Sequence, residues 1–71
     1  MAGTRRKFAQ NLKAIREAHG ITQEVLAEKL DINVRYIQQL EGRHTPNVKL
    51  DTICNLARAL KVPAAEFLKG I

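Results

Sequence analysis

A chain of 71 residues, 45% of them apolar and with a net charge of +5, is sized for one small domain with a modest core. Its single cysteine, Cys54, excludes an internal disulfide and a multi-cysteine metal site, and no apolar run of about 18 residues is present to cross a membrane. The opening residues MAGTRRKFAQ lack the apolar stretch of a secretion signal, so a cytoplasmic protein is expected, its basic charge suited to an anionic partner.

The charge is unevenly spread. Met1 to Ile21 carries a net +4, Thr22 to Val34 a net −2, Arg35 to Lys49 a net +2 and the remainder +1. Residues 1–7 read as a basic N-terminal arm, and a first helix is expected from near Thr4 to Ala18. Phe8, Leu12 and Ile15 form its apolar stripe and Gly20 ends it. Thr22 suits the N-cap of a second helix reaching Leu30, with Leu26 and Leu30 four apart on one face. About three residues remain for a turn before a third helix, which runs from an N-cap at Asn33 through Ile37 and Leu40 to Glu41, with Gly42 as a stop. Ala27 falls where the second and third helices approach most closely. Asp31 occupies the turn, where its short polar side chain tolerates a left-handed backbone.

Ile32, Ile37 and Leu40 are assigned to the core, and Cys54 is expected to be a small buried residue. After the polar loop 42–47, a fourth helix begins between Asn47 and Leu50 and runs to about Leu60, with Leu50, Ile53, Ala57 and Leu60 inward. Pro63 then opens a last short helix holding Phe67 and Leu68. The expected fold is all-α: five short helices in one domain spanning residues 1–71.

So tight a turn between the second and third helices forces them to cross steeply and leaves one flank of the third exposed. That is the geometry of a DNA-reading helix-turn-helix. The residues Gln23, Leu26, Ala27, Leu30, Ile32, Ile37, Leu40 and Glu41 stand in a register that resembles the Cro and lambda-repressor type of helix-turn-helix family. The resemblance extends from about Phe8 to Leu68. Within the family, the stretch NVKLDTICNLARALKV is most similar to the small controller proteins of restriction–modification systems. Asp31 stands where the family usually has Gly, and Gly42 follows Glu41 directly where the family usually has one intervening residue.

With Ile37 and Leu40 inward, Val34, Arg35, Gln38 and Gln39 project outward at the helical period as candidate base readers. Arg35 suits the paired acceptors of guanine, Gln39 those of adenine, and Val34 a thymine methyl; Gln38 can face a base or a phosphate. Gln23, at the start of the second helix, suits a phosphate oxygen. The basic clusters at Arg5 and Arg6 and around the third helix lie where phosphates are expected. By resemblance, the loop after the third helix follows the DNA backbone, which nominates Arg43 and Thr45 ahead of His44. By resemblance too, Tyr36 offers its hydroxyl to a phosphate, although simple packing explains it equally well. The resemblance further implies a structural ion pair between Arg16 and Glu41. His19 and His44 have no partners at metal-ligand spacing, so no metal and no cofactor are expected.

No paired carboxylates, activated nucleophile or glycine-rich phosphate loop suggests an enzyme. The rival reading is a protein-binding module, an antitoxin or anti-repressor on the same fold. Arg35 beside two glutamines favours double-stranded DNA as the partner. Half-sites about 34–36 Å apart would need a homodimer on a two-fold symmetric operator, and Phe67, Leu68 and Ile71 are the candidate interface. Five helices use up the chain, so no small-molecule effector is expected.

Overall fold

The computed structural model describes residues 2–71. It contains four α-helices and one 3-10 helix: α1 (Ala2–Ala18), α2 (Gln23–Leu30), α3 (Val34–Glu41), α4 (Leu50–Leu60) and a 3-10 helix (Ala64–Leu68). The described residues form no strand. The expected fifth helix is therefore a tighter 3-10 segment, with Pro63 at its N-cap position.

α1 begins earlier than expected. Residues 2–7 are helical, so Arg5 and Arg6 ride on the first turns of α1 and not on a free arm; Met1, the start of that expected arm, lies outside the described residues. The helix-forming run AGTRRKF contains no proline or β-branched cluster that would hold it extended.

Three helices end the same way. At Gly20, Asp31 and Lys61 the backbone turns left-handed, with φ of 67°, 55° and 56°. In each case the next residue donates its N–H back across the last turn: Ile21 to Arg16 O, Ile32 to Ala27 O and Val62 to Ala57 O. This is the Schellman arrangement, and it satisfies carbonyls that a helix end leaves free. Thr22 and Asn33 cap the helices that follow, their side chains accepting from Val25 N–H at 3.1 Å and Arg35 N–H at 2.8 Å. α3 ends differently. Gly42 is extended at φ −84°, and a Cβ there would meet Gln38 O at 3.1 Å, so close approach and not a left-handed turn favours glycine.

One core joins these elements. Phe8, Leu12, Leu26, Ala27, Ile37, Leu40, Ile53, Leu56, Leu60 and Phe67 are buried together. Several expectations are corrected here. Leu50, the first residue of α4, is 73% exposed, and Leu56, fully buried, takes an inward place instead. Cys54 is exposed, being about a quarter-turn off the inward row Ile53–Leu56–Ala57–Leu60. Ile32, at the end of the α2–α3 turn, is 38% exposed.

Candidate nucleic-acid interface

α3 has two unlike sides. Ile37 and Leu40 are fully buried, while Val34, Tyr36 and Glu41 are half-buried. Arg35, Gln38 and Gln39 are exposed and share about a third of the helix circumference, opposite the core. Val34 packs partly against the core, which leaves only one edge of its side chain outward. The outward flank thus carries one guanidinium and two carboxamides, and no carboxylate. These groups match the base edges exposed in a major groove: Arg bidentate on guanine and Gln bidentate on adenine.

The position of that flank is set by a polar junction beneath it. Arg16, 8% exposed, donates from Nε to Glu41 Oε2 at 2.7 Å and from Nη2 to Glu41 Oε1 at 3.0 Å. Its Nη1 donates to Ile21 O at 2.8 Å. Gln23 Nε2 donates to Glu41 Oε1 at 3.0 Å. One carboxylate therefore ties α1, α2 and α3 together, and the arginine also reaches the α1–α2 turn. No buried side-chain nitrogen or oxygen among the described residues is left without a partner. The hydrogen bond to Glu41 is the main cause holding the Arg16 guanidinium above its ordinary pKa, against the opposing effect of burial. The Glu41 side chain is 3% exposed, so each charge depends on the other.

Gln23, expected on a phosphate, donates one N–H of its amide to Glu41, which leaves the second amide N–H and the first-turn backbone N–H of α2 for an anion. Thr45 is less open than expected: it is 5% exposed and its hydroxyl donates to Gly42 O at 2.9 Å, which shapes the loop. Nothing in its polar surroundings GRHTPN signals that burial.

The helical start of α1 brings Arg5 and Arg6 against the loop after α3. Together with Arg43, His44, Thr45 and Pro46 they line a shallow groove of about 320 Å³. Among the described residues, none of these three arginines forms a salt bridge. Tyr36 lies apart, half-buried, on the rim of a concavity of about 520 Å³ shared with Thr52, Asn55 and Arg58 of α4. His19 and His44 are exposed, and no group of metal-ligating side chains occurs among the described residues.

The Helix-turn-helix family model HTH_3 matches residues 12–67. The chain belongs to the helix-turn-helix family. Two solved structures carry the likeness further. The restriction-modification controller protein C.AhdI from Aeromonas hydrophila is 36% identical, superposes with a TM-score of 0.81, and the match covers 89% of this chain and 94% of that one. The hypothetical transcription factor NHTF from Neisseria is 32% identical with a TM-score of 0.83, over 92% of this chain and 74% of that one. No curated protein matches the chain. This helix-turn-helix protein is a DNA-binding transcription regulator and not an enzyme. No helix among the described residues is long and apolar enough to span a membrane.

Sequence reasoning missed Asn11. It is half-buried on α1, and its amide nitrogen donates to Phe67 O and Lys69 O, both at 2.9 Å. The available signal was its position, a lone amide inside the stripe of Phe8, Leu12 and Ile15.

Proposed function

We propose that this helix-turn-helix regulator reads a two-fold symmetric operator in double-stranded DNA as a homodimer, with α3 in the major groove of each half-site. The observation that carries the reading is the outward flank of α3. Arg35, Gln38 and Gln39 offer donors matched to base edges, Val34 adds an apolar edge for a thymine methyl, and the Arg16–Glu41–Gln23 junction holds the helix rigidly behind them. Arg5, Arg6 and Arg43 meet phosphates beside the reading helix, their charges being without acidic partners among the described residues. Gln23 contributes its backbone N–H and the second N–H of its amide, and Tyr36 its hydroxyl.

Size supports two copies. The longest dimension of the fold is 29 Å, short of the roughly 34–36 Å between successive half-sites on one face of DNA. Exposed apolar residues supply a surface for pairing: Leu68 and Ile71 border a groove of about 430 Å³ with Phe8, Val48 and Ile53, and Leu50 lies one turn before Ile53. Phe67 leaves the proposed interface. It is fully buried, its ring 6.2 Å from that of Phe8, and it belongs to the monomer's own core. A chain acting on bacterial-type operators works in the cytoplasm, and the likeness to C.AhdI favours control of a restriction–modification system.

Selection of bound sites from randomised duplex DNA, repeated with Arg35→Ala, tests the reading. A symmetric consensus that loses a guanine preference in the variant supports it. Binding that is sensitive to salt but blind to sequence overturns it and favours the antitoxin or anti-repressor alternative.

A further inference from the structure

Residues 68–71 present a physical problem. Leu68 and Ile71 are 45% and 55% exposed, so burial alone does not order them, and holding exposed apolar side chains in one pose costs conformational entropy. The order comes from polar contacts. The Asn11 amide spends both its N–H groups on carbonyls of this segment, Phe67 O and Lys69 O, each at 2.9 Å. Ile71 N–H donates to Leu68 O at 3.1 Å, so three successive carbonyls are engaged. Gly70 then takes φ +80°, which redirects the chain and packs it over the Lys7 side chain.

Asn11 stands on the face of α1 that a leucine would fill more favourably, between Phe8 and Ile15. Its two donors match the two free carbonyls at the end of the 3-10 helix, whereas a purely apolar contact would hold Phe67 and leave the residues beyond it loose. We propose that Asn11 is a positioning residue for self-association: it holds residues 68–71 so that Leu68 and Ile71 stand ready at the groove beside Val48 and Ile53. This role rests on the homodimer reading above. Pre-ordering the surface lowers the entropy lost on association, so its effect falls on the dimer constant and not on the reading flank of α3.

The test uses the full chain in sedimentation equilibrium, with DNA binding measured on a duplex carrying one half-site and on one carrying two. Asn11→Asp keeps the size but replaces both donors with acceptors facing carbonyls. The expected result is a dimer dissociation constant raised tenfold or more, weaker binding to the two-site duplex and unchanged binding to the single half-site. Gly70→Val is the second variant, since it disturbs the left-handed backbone beyond Lys69 while leaving Phe67 in the core; it is expected to weaken the dimer likewise and keeps the test decisive if Asn11→Asp does not fold. A wild-type chain that stays monomeric at high concentration defeats the homodimer reading itself. A dimeric wild type whose constant moves less than twofold in both variants, or in Gly70→Val alone when Asn11→Asp is unfolded, overturns the role of Asn11 and leaves the homodimer intact.

Discussion

The segments 26–34 and 56–64 begin alike and end in different places. Leu26-Ala27-x-x-Leu30-Asp31-Ile32 and Leu56-Ala57-x-x-Leu60-Lys61-Val62 share their spacing, and both close with the same left-handed residue and the same pair of backbone hydrogen bonds. After the first turn, Asn33 caps a true α-helix whose outer flank is open. After the second, Pro63 leads into a 3-10 helix whose Phe67 is fully buried. Both continuations are fastened to α1, one through an ion pair and the other through aromatic packing and a neutral amide. α3 is held by the charged Arg16–Glu41 contact, the 3-10 helix by Phe8 against Phe67 and by the Asn11 amide. The comparison teaches that one local signature makes a turn, while the residue that follows it, Asn33 or Pro63, starts the next segment and a partner on α1 fixes its place.

The two anchors are the first place to break this comparison. Phe67→Ala is expected to cost about 3–5 kcal/mol in chemical denaturation, through lost burial and the cavity left beside Phe8. Glu41→Ala is expected to cost a similar amount, about 3–5 kcal/mol, by leaving the Arg16 charge buried and unpaired. Their pH behaviour sharpens the contrast. The folded pKa of Arg16 is raised, chiefly by the hydrogen bond to Glu41, so its stabilising effect is complete below the unfolded value and is lost only as pH rises through the folded value in the strongly alkaline range. The gap between wild type and Glu41→Ala should therefore stay level between about pH 6 and 9. A gap that closes within that window would sink the assignment of Arg16 as the buried charge left behind.

A smaller effect separates reading from phosphate contact. Arg43→Ala should weaken binding to all duplexes alike and reduce the salt slope by about 1, with no change in the selected consensus. A changed consensus would move Arg43 from the backbone to the bases.

The smallest effect compares the two turns directly. Asp31→Gly and Lys61→Gly each relieve a left-handed L-residue and should be neutral or stabilising by up to about 1 kcal/mol. A clear fall in melting temperature at one site alone would show that the side chain there does more than tolerate the backbone.

Much of the fold was readable because its signals are local. Thr22 and Asn33 cap helices by reaching two or three residues along the chain, and Ile37 and Leu40 mark the inward side of α3 by period. Misreadings gathered where period meets an uncovered end. Leu50 has the right spacing for the core but is the first residue of α4 and stays exposed, while Leu56 is fully buried. Phe67 looked like surplus apolar surface because its partner, Phe8, is far away in sequence. The bonds of Thr45 to Gly42 and of Gln23 to Glu41 had no signal, since polar residues carry no period that would reveal a hydrogen bond within the fold.

By itself, then, the sequence determined the helices, their caps, the left-handed turn at Asp31 and the outward set Arg35, Gln38 and Gln39, all of which depend on neighbours within a turn or two. Only the tertiary structure decided that Arg5 and Arg6 meet Arg43 across a groove, that Gln23 shares Glu41 with Arg16, and that Asn11 holds the carbonyls of Phe67 and Lys69. Those contacts join residues from 18 to 58 positions apart, and a side-chain hydrogen bond over such a distance exists only once packing has brought donor and acceptor within about 3 Å.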